Sequence, residues 1–328
     1  MRPLSDAELD AVWTLAAIRL CTSVCLSAHR RSAEPDNAYL LVSEAPAWRA
    51  LQTMRGIPVR LAHYRLRAAC GRVPCPQTPA IEAWMRGHRA EIGPVVEEDP
   101  ERAVVFDLSV GSPLFSSPEE ATDTAAMTSK LFGAMRSKGA RLGVGRYDEA
   151  RLLYASDAFA QPSDEQPERR TVHLAHDLFM EPGSPVLAPL PGRVRSVRDN
   201  AARLDYGPTV ILEHTPPGGP VFYTLYGHLS RASTAHWKPG DAVARGDRLG
   251  EIGPAPENGD WPPHVHFQII ADLLDAEGDF PGVAPAAARA AWLSLCPDPN
   301  LVVRGPQRFR APADGAAALR EERRRRLE

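Results

Sequence analysis

Apolar positions follow a helical spacing at the start of the chain and alternate with polar positions further along it. Residues 6–32 carry apolar side chains at intervals of three and four residues, the period of an amphipathic α-helix. Ser5 and Glu8 have the spacing of a capping box, so the helix is predicted to begin after Ser5. A second helix is predicted near Glu44, with Pro46 in its first turn. The first part of the chain is therefore predicted to be helical.

The segment 61–140 gives mixed signals. Its Pro- and Gly-rich stretch 71–79 predicts a connection, and 80–90 predicts a short helix. Residues 103–110 are rich in β-branched side chains and predict a strand, whereas 111–140 predicts a loop plus a helix around 119–137. We interpret the segment as an irregular connecting region.

Short apolar segments separated by Gly and Pro dominate from about residue 141. Strands at a spacing of roughly ten residues are typical of an antiparallel β domain, and the predicted strands are 185–190, 192–199, 209–214, 220–229, 246–253 and 264–270. A further helix is predicted at 282–297. The fold class is therefore α+β, with N-terminal helices followed by a mainly antiparallel β-sheet domain.

The composition narrows the class of protein only slightly. A chain of 328 residues is long enough for two modest domains, and a net charge of −3 gives no reason to expect a nucleic-acid partner. Its 32 prolines indicate many loops. Because no uninterrupted apolar run approaches the ~20 residues that span a bilayer, and no signal peptide is recognised, we expect a cytoplasmic protein without a membrane segment. The five cysteines are interpreted as reduced structural thiols.

Four histidines and one aspartate of the β region have the chemistry of a metal site. His264 and His266 project from the same face of a predicted strand, because side chains alternate along a strand. His173 and Asp177 share a face if their segment is extended, and His228 ends another apolar strand. A catalytic zinc has three protein ligands of the His or Asp/Glu type and an open fourth position. His173, Asp177 and one member of the His264/His266 pair meet that requirement, and the remaining histidines are free for proton transfer or oxyanion stabilisation.

The order His-x-x-x-Asp, Tyr-Gly-His-Leu and His-x-His resembles that of the lysostaphin/LytM-type zinc metalloendopeptidases. The flanking stretches PGSPVLAPLPGRV and KPGDAVARGDRLGEIG resemble that family as well. The resemblance implies that His173, Asp177 and His266 bind Zn²⁺, that His264 is the general base and that His228 stabilises the oxyanion. It also implies hydrolysis of a peptide bond, usually in the small-residue cross-links of peptidoglycan.

A second resemblance concerns the arrangement of domains. The N-terminal helices are similar to the last helices of aminoglycoside/choline-kinase-like domains, which precede a LytM-type module in large fusion proteins that end in a class III, pyridoxal-phosphate-dependent aminotransferase. The resemblance implies kinase-like and aminotransferase domains or proteins as partners. We accordingly predict a helical segment, the connecting region, a peptidase-like domain and a charged tail, with the bounds 1–60, 61–140, 141–300 and 301–328.

Two observations leave alternatives open. Ala175 and His176 stand where that family has Gly and an apolar residue, and His176 is interpreted as a surface residue or, less favourably, as an alternative ligand. The absence of a recognised signal peptide favours a weak or inactive metal-binding scaffold associated with the aminotransferase system, because peptidoglycan lies outside the cytoplasm.

A biotinyl- or lipoyl-carrier interpretation needs a lysine at a hairpin tip. Lys238, the only lysine of the β region, lacks the usual flanking methionines.

Overall fold

The computed structural model describes residues 3–34, 36–37, 39, 42–154, 156–161 and 168–311. The chain forms two compact units that divide between Cys75 and Pro76. The first unit is helical and consists of α1 (Asp6–Ala33), α2 (Glu44–Arg55) and α3 (Val59–Ala69). The first two helices begin as the sequence predicts, whereas α3 falls in the segment that was interpreted as irregular.

Helix α1 begins with the predicted capping box. The Ser5 backbone N–H donates to Glu8 Oε2 at 2.7 Å, and the Glu8 N–H donates back to Ser5 Oγ at 3.3 Å. By length and composition alone this helix is long and apolar enough to cross a membrane, and little of it is buried. The sequence analysis did not predict a possible membrane-spanning helix here, because it required an uninterrupted apolar run and Arg19 interrupts the apolar stretch of α1. A core helix and a signal sequence pass the same test, so the expected cytoplasmic location stays a prediction.

The second unit contains six further helices and all the strands of the described residues. The helices are α4 (Thr78–Gly87), α5 (Pro118–Thr122), α6 (Thr124–Ser137), α7 (Arg231–Thr234), α8 (Arg289–Leu295) and α9 (Asn300–Val303). The strands are β1 (Val104–Phe106), β2 (Gly143–Gly145), β3 (Ala160–Gln161), β4 (Glu168–His173), β5 (His176–Phe179), β6 (Pro185–Leu187), β7 (Gly192–Asn200), β8 (Gly207–His214), β9 (Phe222–Gly227), β10 (Ala242–Val243), β11 (Arg248–Glu251), β12 (His264–Ile270) and β13 (Val283–Pro285).

Eight strands form the main sheet, in the order β1-β2-β5-β12-β9-β8-β7-β10. Every neighbouring pair in it is antiparallel except β1 and β2, which are parallel. Two smaller sheets have the orders β11-β6 and β13-β4-β3. The described residues therefore confirm the α+β class, with N-terminal helices followed by a mainly antiparallel sheet. Strand β12 is buried along its whole length near the middle of the main sheet. One of its faces is entirely apolar, and the opposite face carries its three polar residues, His264, His266 and Gln268.

An apolar core lies beside strands β1, β2 and β5. Met127, Leu131 and Met135 of α6 pack there with Phe106 and Phe179, whose rings meet edge to face at 5.9 Å between centroids. The helical spacing of these α6 residues buries one face of the helix. The core thus holds β5 in place, and β5 carries one of the predicted metal ligands.

Some local predictions differ from the structure. The predicted helix at 119–137 is divided at Asp123, because the Asp123 carboxylate accepts a hydrogen bond from the Ala126 N–H and starts a new helix. The first part of the predicted helix at 282–297 is strand β13, which pairs with β4. Within the segment 61–140, α4 and β1 correspond to the predicted short helix at 80–90 and the predicted strand at 103–110, whereas most of α3 lies there without having been predicted. The predicted domain bounds stay a prediction.

The C-terminal region is only partly described. The basic run REERRRRLE lies outside the described residues. Within the described part, Phe309 is fully buried and Arg310 pairs with the Asp148 carboxylate at 3.2 Å. The described beginning of the predicted charged tail is therefore packed within the second unit.

Candidate metal centre

The register of the main sheet brings the predicted ligands together. His266 of β12 lies opposite Asp177 of β5 on one side and opposite Gly227 of β9 on the other. His173 ends β4, which two residues separate from the start of β5, and His228 follows directly after β9. The neighbouring strands β5, β12 and β9 of the main sheet thus position Asp177, His266 and His228, whereas β4 of a smaller sheet carries His173.

Three potential ligand atoms converge at the centre of this arrangement. His173 Nε2 lies 3.1 Å from Asp177 Oδ1, and His266 Nδ1 lies 3.2 Å from the same oxygen. The two ring nitrogens are 3.3 Å apart. All three residues are buried. His264 Nε2 is 3.5 Å from Asp177 Oδ1, so the fourth predicted residue borders the group.

Hydrogen bonds on the far side of the rings determine which nitrogens carry protons. His173 Nδ1 lies 3.0 Å from the carbonyl oxygen of Arg146, and His266 Nε2 lies 2.9 Å from Gln268 Oε1. Oxygens of this kind only accept, so each ring donates there and a neutral ring keeps a lone pair on the nitrogen that faces Asp177. The Gln268 amide is oriented because its Nε2 donates to the Pro281 carbonyl at 3.2 Å.

The residues present fit a metal ion. Within the described part of the chain, Asp177 Oδ1 is a buried oxygen without a hydrogen-bond partner, and the two nearest nitrogens turn lone pairs towards it. Three electron-rich atoms this close together in a buried site repel one another unless a cation lies between them. Two His nitrogens and one carboxylate oxygen are the donor set of a catalytic zinc site.

A buried arginine holds the other oxygen of the aspartate. Arg151 Nη1 donates to Asp177 Oδ2 at 2.5 Å, and its Nε donates to Glu149 Oε2 at 3.0 Å. Glu149 also pairs with Arg146, which pairs in turn with Asp107. This chain of alternating charges fixes the Asp177 carboxylate so that Oδ1 points towards the two histidines.

The electrostatic environment favours neutral rings and an ionised carboxylate. Burial lowers the pKa of His173 to about 3 and lowers the pKa of His264. Burial and the neighbouring His264 hold the pKa of His228 well below its usual range. Burial alone would raise the pKa of Asp177, but the adjacent His173 and Arg151 outweigh burial and hold it well below its usual range. Neutral imidazoles and a carboxylate are the forms that bind metal.

His264 and His228 lie side by side next to the three ligand atoms. Their ring centroids are 4.3 Å apart. His264 Nδ1 lies 2.6 Å from the Pro262 carbonyl oxygen, and His228 Nδ1 lies 2.7 Å from the Asn258 carbonyl oxygen. Each ring donates through Nδ1, which leaves its Nε2 available to a substrate.

The backbone around His228 is unusual in two respects. His228 has a φ of 64°, in the left-handed region that non-glycine residues rarely adopt. A side chain at the preceding Gly227 would come within 2.6 Å of the Tyr206 ring, so only glycine fits there. Strained backbone of this kind occurs most often at functional sites.

These side chains line one cavity of about 260 Å³ in the second unit. Asp177, His228, His264 and His266 reach it directly. The structure therefore brings together the five residues that the sequence analysis selected. Four of the five share this cavity, whereas His173 is fully buried and is not one of its lining residues.

Other histidines have no place in this group. His176 is fully buried and packs edge-on against Phe309, with 5.5 Å between ring centroids, so the surface interpretation was wrong. It points to the opposite face of β5 from Asp177, because neighbouring strand residues alternate. His214 is buried at the end of β8, where its Nδ1 donates to the Pro191 carbonyl at 2.8 Å.

Two supporting residues were missed by the sequence analysis. Gln268 continues the alternation of His264 and His266 along β12, and that pattern could have predicted its contact with His266. No sequence pattern predicts the contact of Arg151 with Asp177, because Arg151 follows an irregular segment and meets Asp177 only in the folded chain.

Comparisons with known proteins concern the segment that carries these residues. Residues 171–276 match the model of the family described as Peptidase family M23, and this segment contains all five predicted residues. The chain thus contains a segment similar to the M23 peptidases. No curated protein is similar enough to the chain to count as a match.

Several solved structures are similar to part of the chain. The catalytic domain of the antimicrobial peptidase lysostaphin from Staphylococcus simulans is 25% identical, with 41% of this chain and 81% of that chain covered and a TM-score of 0.28. The catalytic domain of a mutant of the prophage-encoded M23 protein EnpA from Enterococcus faecalis is 26% identical, covering 37% and 92%, with a TM-score of 0.27. A zinc-containing peptidase from Vibrio cholerae is 26% identical, covering 38% and 39%, with a TM-score of 0.26.

Proposed function

We propose that the chain is a zinc metalloendopeptidase that hydrolyses peptide bonds. The observation that carries the proposal is the convergence of His173 Nε2, Asp177 Oδ1 and His266 Nδ1 within 3.1–3.3 Å of one another in a buried site. These three residues would hold Zn²⁺. When bound, zinc supplies Lewis-acid polarisation of a carbonyl and a lowered pKa for water.

His264 is the general base in this proposal. Its Nδ1–H is engaged by the Pro262 carbonyl, so its Nε2 lone pair faces the cavity beside Asp177. From that position it takes a proton from the attacking water and can give the proton to the leaving amine. The fixed ring orientation prevents the alternative tautomer, in which the lone pair would face the backbone.

His228 hydrogen-bonds the oxyanion that develops on the substrate carbonyl. Because the Asn258 carbonyl takes its Nδ1–H, this bond requires a second proton on Nε2. Burial and the neighbouring His264 keep the ring neutral in the free site by lowering its pKa, so the ring takes up that proton only as negative charge develops on the substrate oxygen beside it. The His228 ring packs against that of His264, with 4.3 Å between the ring centroids, and both side chains line the cavity. The ring thus acts where charge develops rather than as a metal ligand.

The proposed substrates are peptides of the peptidoglycan type. Support comes from the match to Peptidase family M23 and from the similarity to lysostaphin, which is described as an antimicrobial peptidase. No finding supports kinase-like or aminotransferase partners, so these partners remain a prediction from the second resemblance.

Removing the metal tests the proposal. We expect the zinc-loaded chain to cleave fluorogenic peptides containing small residues, and we expect dialysis against a chelator to lower the rate at least about a hundredfold. Adding Zn²⁺ back should restore the rate. The exposed His236→Ala variant serves as a control that changes the histidine count without touching the site.

Two results would contradict the proposal. Equal cleavage before and after chelation would exclude a metal-dependent reaction. Zinc binding without cleavage of any peptide would leave the chain as a metal-binding scaffold, the alternative that the sequence analysis left open.

A further inference from the structure

The cavity of the metal centre has a second, apolar wall. Its lining includes Leu108, Met127, Leu153, Phe159, Trp261 and Val283. All but Trp261 belong to the buried core that packs beside β5, and Trp261 packs against that core. The apolar wall is therefore the part of this close-packed core that faces the cavity, and the packing of the core holds it in place.

Most of this wall comes from outside the segment that matches the family. Leu108, Met127, Leu153 and Phe159 all precede residue 171, where the match begins. Leu108 follows β1, Met127 lies on α6, and the other two lie in short turns before β4. The N-terminal part of the second unit thus adds a surface to the peptidase-like segment, in the same cavity as the proposed catalytic groups.

Polar contacts at the rim fix the shape of the wall. Arg170 lies over the Phe159 ring at 5.8 Å and donates to the Ala158 carbonyl at 2.9 Å. Trp261 Nε1 donates to the Asp205 carbonyl at 3.1 Å. Both aromatic rings are therefore held in one orientation at the wall of the cavity.

We propose that this wall is a subsite for one large aliphatic or aromatic side chain next to the scissile bond, which rests on the proposed peptidase function. The substrate class is then peptides with a bulky apolar residue at the cleavage site, in place of small residues on both sides. A cavity of about 260 Å³ is small among ligand pockets, which suits one side chain and its adjoining backbone. Burying such a side chain favours the substrate by about tenfold to a hundredfold.

A variant that fills the cavity from its rim tests the subsite. Ala158 is exposed and lines the cavity, so Ala158→Trp occupies the space without disturbing the core. Ala235→Trp is the matched control, because Ala235 is an exposed residue that does not line this cavity. Each zinc-loaded protein is assayed with a glycine-only peptide and with the same peptide carrying Leu or Phe at one position.

The expected result is a kcat/KM at least about tenfold higher for the Leu or Phe peptide in the original protein. Ala158→Trp should remove this preference by lowering kcat/KM for the Leu or Phe peptide at least about tenfold more than for the glycine-only peptide, whereas Ala235→Trp should keep it. Cleavage without any preference, or an equal loss for both peptides in Ala158→Trp, would overturn the subsite and leave the peptidase proposal intact.

Direct binding separates the two proposals. The affinity of the same peptides is measured with zinc present, using the fluorescence of the tryptophans. Preferential binding of the apolar peptide that Ala158→Trp removes, without cleavage, would support the subsite and contradict the peptidase. Neither binding nor cleavage would overturn both.

Discussion

His266→Ala is expected to lose zinc, whereas His264→Ala is expected to keep zinc and lose hydrolysis. The two side chains leave the same strand on the same face, and both are almost completely buried. Removing either ring creates a similar cavity, so a purely structural effect would be similar in both variants. A difference in zinc content or hydrolysis between the two variants therefore reports on the roles of the two rings in zinc binding and catalysis.

The contacts of the two rings give the reason for this difference. His266 Nδ1 faces both His173 and Asp177, while Gln268 fixes its other nitrogen. We expect His266→Ala to weaken zinc binding by more than the about 10–100-fold that the loss of an outer-shell partner costs. His264 only borders the ligand atoms, so its loss should lower kcat about 10²–10⁴-fold with the zinc content unchanged.

Zinc content by elemental analysis and kcat on one peptide check both variants. If His264→Ala abolished zinc binding while His266→Ala spared it, the assignment of the pair would be reversed. Loss of zinc in both would make His264 a fourth ligand.

Arg151→Met is expected to destabilise the second unit and to weaken zinc binding. The variant leaves Asp177 without the guanidinium at its Oδ2 and removes one of the two cations paired with Glu149. Removing one partner of a buried ion pair costs about 3–5 kcal/mol of unfolding free energy. We also expect zinc affinity to fall about 10–100-fold, because nothing then holds Asp177 Oδ1 towards the histidines.

Urea unfolding without metal and zinc titration measure the two effects. Arg203→Met is the control: Arg203 also lines the cavity, but it pairs with Asp260 at 2.8 Å on the exposed surface, so its loss should cost at most about 1 kcal/mol. Equal stability of the two variants would show that the buried network does not support the site. Unchanged zinc affinity in Arg151→Met would show that Arg151 contributes to folding alone.

The proposed ligand set could be predicted from the sequence because its residues lie in short motifs. His264 and His266 are on the same face of a strand for reasons of local geometry, and the order of the three motifs resembles a known family. The bounds of most strands of the β region were predicted within a few residues, because Gly and Pro separate the strands and their apolar residues indicate burial.

The rest depended on contacts between distant parts of the chain. Arg151 reaches Asp177 only after β2, β4 and β5 are assembled. His176 is buried because the C-terminal Phe309 packs over its face of β5, and no local pattern predicts that contact. The apolar wall likewise combines segments before β4 with residues after β11, so its residues could only be interpreted as core.

The most direct test of the account is the zinc content of the purified chain beside that of Asp177→Ala and Asp279→Ala. Asp177 and Asp279 both line the cavity, but Asp279 is exposed and lies outside the group of three converging ligand atoms. We predict stoichiometric zinc in the original protein and in Asp279→Ala, and its loss in Asp177→Ala. Equal zinc in the two variants, or no zinc in the original protein, would contradict the metal centre.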